Sequence, residues 1–156
     1  MSAARGRANH GLYLARILLD AWREALRHEE LPAAVLTQAF LPAVRQHLVD
    51  AYGWFLLAVM QVEPLPERPP AGCRELPPVP EGKAVPGEIR ELAQLEAGGW
   101  LAAMLAADHM VVAGGARRPG NLAIAAPATP GPDAAQQWLE QLGALFDRMG
   151  DSLDEY

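Results

Sequence analysis

Apolar residues recur at helical spacing in four stretches of the chain, and two long segments rich in proline and glycine set them apart. From about Asn9 to Arg27, Leu12, Ala15, Leu18, Leu19, Trp22, Ala25 and Leu26 fill about half of a helical circumference. Arg16, Asp20, Arg23, Glu24 and Arg27 fill the other side at i,i+3 and i,i+4 spacing, and Asn9 is the expected N-cap. An apolar arc that wide reaches more than one neighbour, as a bundle helix does. The last stretch, 133–153, is the sharpest of the four. Ala135, Trp138, Leu139, Leu142, Leu145, Phe146, Met149 and Leu153 share one face, with Asp133 placed to cap it.

Between these lie two longer patterns. The second helix is expected over 32–62, with Pro32 in its first turn and a kink or break at Pro42, which has no N–H for the carbonyl of Gln38. Its later part, "RQHLVDAYGWFLLAVM", sets Val44, Leu48, Ala51, Phe55, Val59 and Val62 in one stripe. Gln46, Asp50, Gly53 and Gln61 lie opposite, with Leu57 the exception, so this reads as a half-exposed helix. The third helix spans 88–112, and the Gly98-Gly99 pair is expected to bend it. Eight prolines in residues 63–87 exclude regular structure there, leaving a semi-rigid, polyproline-like crossover or a mobile loop, and residues 113–132 form a second loop with "NLAIA" extended. The expected fold is all-α: one domain over 1–156, an antiparallel four-helix bundle with a Pro-rich crossover loop.

Composition narrows what such a bundle does. The formal net charge is −6, and the concentrated cations are only Arg5 with Arg7 and Arg117 with Arg118, so no nucleic-acid partner is expected. The uncharged run from Ala51 to Val62 falls short of the roughly 20 residues a membrane span needs. Arg16 and Asp20 interrupt the apolar stretch behind the basic start, which argues against a secretory leader and for a cytoplasmic protein. The single cysteine, Cys73, excludes an internal disulfide.

Candidate chemistry is sparse. A di-iron bundle uses Glu-x-x-His, but Arg7, Ala25, Val44 and Ala106 stand three residues before the four histidines. A zinc site would have to join His47 to Asp108 or His109 from another helix, and neither metal nor cofactor is expected. Arg23 with His28, like Arg5 with His10, fits the Arg–His spacing of a HEPN-type ribonuclease. Five residues, however, turn two side chains about 140° apart on one helix, and a solvated ion-pair ladder explains Arg23 as well. Ser2 and Ser152 sit in no nucleophile elbow, Cys73 has no base beside it, and "AGGARRPG" lacks the lysine of a phosphate loop. No catalytic residue is assigned. Tyr13, His47, Trp54 and Trp100 are the candidates for a ligand pocket or an interface, set against the plainer reading of core aromatics and a structural histidine.

The stretches "RANHGLYLARILLDAWREA", "RQHLVDAYGWFLLAV", "WLAAMLAA" and "WLEQLGALFDRMGDSLDE", in that order, resemble a pseudomonad-type family of small all-helical proteobacterial proteins with a domain of unknown function. The resemblance implies a compact helical fold and a cytosolic home, and no activity. The leading expectation is a non-enzymatic interaction or scaffold protein that forms a homodimer through the apolar excess of its first two helices, a wide arc on the first plus Leu57 and Met60 outside the main stripe of the second. The alternatives are the HEPN-like ribonuclease on Arg23 and His28 and a small-ligand-binding bundle.

Overall fold

The computed structural model describes residues 2–114 and 130–154, with backbone only for 108–114 and 154. Among these residues the chain is all-α, with five helices and no strand: α1 Ala3–His28, α2 Ala33–Met60, α3 Gly87–Gly98, α4 Trp100–Gly114 and α5 Pro132–Asp154. A single 3-10 turn, Cys73–Glu75, interrupts the proline-rich crossover. The expected loop over 113–132, its "NLAIA" segment and Arg117 with Arg118 lie almost wholly outside the described residues, as do the side chains of Asp108 and His109.

The helix ends follow local chemistry. Helix α1 starts six residues before Asn9, because Ser2 Oγ accepts the Arg5 N–H at 3.2 Å and Ala4 and Ala8 are both buried. It stops at Glu29, a left-handed residue (φ 54°) whose N–H returns to the Leu26 carbonyl. Pro32 caps α2 from just outside it, and α2 continues unbroken through Pro42. The expected break is absent; Pro42 and Gln38 both lie on the exposed side, where solvent can serve the unmatched carbonyl. The third expected helix is two helices. Gly99 is extended, and its N–H bonds the Leu95 carbonyl at 2.9 Å, so the glycine pair ends α3 instead of merely bending it. Pro132 opens α5, which puts Asp133 inside the first turn and not at the cap.

Helix packing follows a consistent register. Ala4 meets Leu57 and Ala58, Gly11 meets His47 and Ala51, and Trp22 stacks on Phe40 at 6.1 Å. On α5, Arg5 reaches Phe146 and Asp147, and Arg23 reaches Asp133. On α3, Glu88 faces Ser152 and Glu91 faces Arg148. Tyr52 of α2 reaches Glu96, while Arg45 donates to the Met104 and Leu105 carbonyls of α4 at 3.2 and 2.7 Å. In each pair the numbers rise on one helix as they fall on the other. The core between them holds Trp22, Tyr52, Phe55, Leu92, Leu101, Leu142 and Phe146, all fully buried. Each such side chain contributes about 1.5–3 kcal/mol through burial. Toward the end of the core nearest the start of α1, the Phe55 and Phe146 rings stack at 4.2 Å, and the Arg5 guanidinium lies 5.4 and 5.8 Å from their centroids.

One expectation is overturned outright. The later part of α2 is not half-exposed: from Ala51 to Val59 every residue but Trp54 is buried. Gly53 lies beneath Pro69 and Pro70 of the crossover, and Leu57 lies in a small cluster with Ala4 and Ala58, against which Leu65 packs. Met60, counted as spare apolar surface, packs on the main core.

Gly11 of α1 and Gly143 of α5 should respond in opposite ways to substitution. A Cβ on Gly11 would stand 2.8 Å from Ala51 Cβ and 3.1 Å from the His47 carbonyl, both on α2. Gly11→Ala is expected to destabilise the fold by about 1–3 kcal/mol despite alanine's better helix propensity, and Ala51→Gly should restore part of the loss. A methyl on Gly143 would meet nothing within 4 Å, so Gly143→Ala should add about 0.4–1 kcal/mol. Urea denaturation followed by circular dichroism measures all three.

Candidate functional site

The most organised polar cluster of the described structure joins α2, α3 and the crossover. Tyr52 sits one turn from Leu48 and one from Leu56 on a face that is fully buried, so its hydroxyl needs an internal partner. Glu96, near the end of α3, provides it: the Tyr52 O–H donates to Glu96 Oε1. The same oxygen accepts the Cys73 N–H at 2.9 Å, and Tyr52 Oη lies 3.7 Å from Cys73 Sγ. Gly72 leaves room for the carboxylate, since a Cβ there would stand 3.2 Å from both of its oxygens.

Burial drives the electrostatics. It raises the Tyr52 phenol far above its usual range, and the hydrogen bond and negative charge of Glu96 raise it further. Burial likewise pushes the Cys73 thiol up to about 11, partly opposed by its hydrogen bonding with Tyr52 and reinforced by Glu96. Both groups are held protonated at neutral pH. A thiol so raised is a poor nucleophile, and the cluster binds the crossover to the helices without activating any atom.

The residues singled out from sequence are spread around the molecule. Tyr13 lies on the outer side of α1, 58% exposed, its ring 6.3 Å from that of His10. It is about 200° around the helix from Gly11, and so faces away from His47. His47 and Trp54 are half-buried, two turns apart on α2. Arg7 stands 4.6 Å over the Trp54 ring, and Trp54 lines a groove with Gln46, Asp50, Arg68 and Pro69. Trp100 is half-buried at the first residue of α4, packed on the core. Among the described residues no ring–ring contact joins two of these four.

The Arg–His pairs also go separate ways. Arg23 donates to Asp133 Oδ1 at 3.1 Å and to the Pro132 carbonyl, bracing the start of α5, whereas His28 Nε2 lies 3.0 Å from Glu24 Oε1. Arg5 is drawn into the core, where Nη1 donates to the Phe146 carbonyl at 2.5 Å, and His10 is exposed. Among the described residues no three His, Cys, Asp or Glu side chains gather as a cation would require. No helix of the described residues is long and apolar enough to cross a membrane.

Sequence reasoning missed Tyr52, Cys73 and Glu96 as a set, and Arg5 and Arg45 as braces. The one available signal was a tyrosine within an apolar row, whose hydroxyl demands an acceptor.

Alkaline titration tests the cluster. Both groups bind their protons more tightly in the fold than in the unfolded chain, so their contribution is complete below the unfolded values and is lost as pH rises. Stability measured by urea should decline from about pH 9 upward, with a shallower decline in Tyr52→Phe and in Cys73→Ala. Through about pH 10 the Tyr52→Phe variant should match the wild type in tyrosinate absorbance, because Tyr52 remains neutral while the fold persists. A smaller rise in the variant would show that Tyr52 ionises normally.

No curated protein and no solved structure matches the chain. A family model does, over residues 1–156, and its description is a family of unknown function, DUF6586. The chain belongs to that family.

Proposed function

We propose that this protein is a non-enzymatic interaction module of the cytoplasm. Its architecture is an antiparallel four-helix bundle in which α3 and α4 together make the third rod, and the reciprocal registers of the helix contacts support that description. It acts by pairing with a second copy of itself. The observation that carries this reading is the outer face of α1, where Tyr13 and Ile17, one turn apart, stay 58% and 47% exposed. Leu57 and Met60, which had argued for a larger sticky surface, are occupied within the chain. Arg16 and Asp20 flank the exposed pair with opposite charges, so a two-fold contact sets each against the other's counterpart. Two such side chains per copy, each already partly covered, offer about 4 kcal/mol in gross burial. That magnitude makes the dimer weak and concentration-dependent.

A second reading, small-ligand binding, is favoured by the groove between α2 and the crossover, where Trp54 is the one of the four sequence candidates that lines it. Metabolite titration followed by tryptophan fluorescence, compared with Trp54→Phe, tests it.

For the dimer, sedimentation equilibrium from about 10 μM to about 1 mM should show a rising mass that Ile17→Asp abolishes while helix content stays constant. A constant monomer mass across that range in the wild type rejects the reading.

A further inference from the structure

The crossover from α2 to α3, residues 62–86, is lightly attached. Of its residues only Pro70 is buried, and Leu65 and Leu76 are half-buried against the Ala4–Leu57–Ala58 cluster. Cys73 and Leu76 also touch the main core, and two further fixings hold the segment to α2 and α3. One is steric: Gly53 of α2 forms a notch that receives the Pro70 carbonyl, and a Cβ there would also stand 2.8 Å from Pro69 Cβ. The other is polar: the Cys73 N–H donates to Glu96 of α3, which rests against Gly72 and is itself held by the Tyr52 O–H of α2, with Cys73 Sγ 3.7 Å from Tyr52 Oη.

We propose that residues 62–86 form a hinged strap that lifts from the Tyr52–Gly53 face of α2 while the helices remain folded, with Glu96 as its latch. Segments with little buried apolar area open independently of the global fold. Removing one α3 side chain releases the strap's backbone bond at Cys73. It also leaves the Tyr52 hydroxyl without its acceptor whenever the strap is down, so the closed state rises in free energy relative to the open one. Filling the Gly53 notch acts on the same equilibrium by a different route. The strap thereby governs access to the α2 face beside Trp54, and the proposal stands whether or not the protein dimerises.

Cys73 is the one cysteine of the chain and sits at the latch, so its alkylation reports on the strap; Glu96 also raises the thiol directly, and Gly53→Ala, which leaves that carboxylate in place, is therefore the decisive variant. Release should return the thiol from about 11 to its ordinary 9.0, which raises the thiolate fraction at pH 8 by about a hundredfold. The lower nucleophilicity of a more acidic thiolate reduces the expected gain in rate to about tenfold. With iodoacetamide on the full chain at pH 8, Glu96→Ala and Gly53→Ala should each label about tenfold faster than wild type. Glu96→Gln, which keeps an acceptor oxygen but no charge, should fall between. Amide-exchange protection of α1, α2 and α5 should be unchanged in all three. A labelling rate equal to wild type in Gly53→Ala would overturn the proposal, whatever the rate in Glu96→Ala. So would faster labelling accompanied by a matching loss of protection throughout those helices, since that would be global unfolding.

Discussion

The close approach of α1 and α2 is the constraint on which the remaining packing depends. It rests on side chains that are small or missing: Ala4, Ala8, Gly11 and Ala15 on one helix, Ala51 and Ala58 on the other, all buried. Because these residues bring the backbones together, the large side chains are displaced to the flanks of the seam. Trp22 stacks on Phe40 toward one end, and Phe55 turns toward α5 to meet Phe146. Had the seam been lined with leucines, α5 and the α3–α4 pair would face a broader surface with no common centre.

Arg5 shows how a charge is tolerated inside such a core. Its guanidinium lies near two aromatic rings, donates to a helix carbonyl and has Asp147 at 3.7 Å, while Nε finds no partner among the described residues. Cation–π attraction strengthens when the cation is desolvated, which offsets part of the burial cost. Gly150 makes the space, since any side chain there would collide with the guanidinium. The same residues that look like a basic start in sequence are thus divided, with Arg5 in the core and Arg7 on Trp54 at the surface.

What the sequence reveals depends on how many sides of a helix are covered. Helices α1 and α5 each keep one solvated side, so their apolar faces stood out, apart from the first turns of α1. There Ser2 and Asn9 are equally good caps, and only the burial of Ala4 and Ala8 decides between them. Helix α2 misled because a segment of no regular structure covers its second side, and periodicity has no means of anticipating that cover. Gly98-Gly99 announced a discontinuity, but whether it bends or ends the helix is settled by the Leu95 carbonyl, which accepts the Gly99 N–H. The Tyr52–Glu96 bond spans 44 positions and joins residue types that are ordinary in helices, so nothing local marks it. The candidate residues Tyr13, His47, Trp54 and Trp100 were legible as polar-aromatic positions. Their separation around the fold was not.

Arg45 carries a geometric consequence of its own. It reaches from α2 to the carbonyls of Met104 and Leu105, successive residues whose directions differ by about 100° around the axis of α4. One guanidinium satisfies both only over a narrow range of rotation, so it acts as an indexing pin for α4. The extended Gly99 joint would otherwise let α4 roll about its long axis. Fixed in this way, the row Leu101, Met104 and Ala107 stays turned inward, although the helix that bears it is greasy on every side and has little amphipathic preference to orient it.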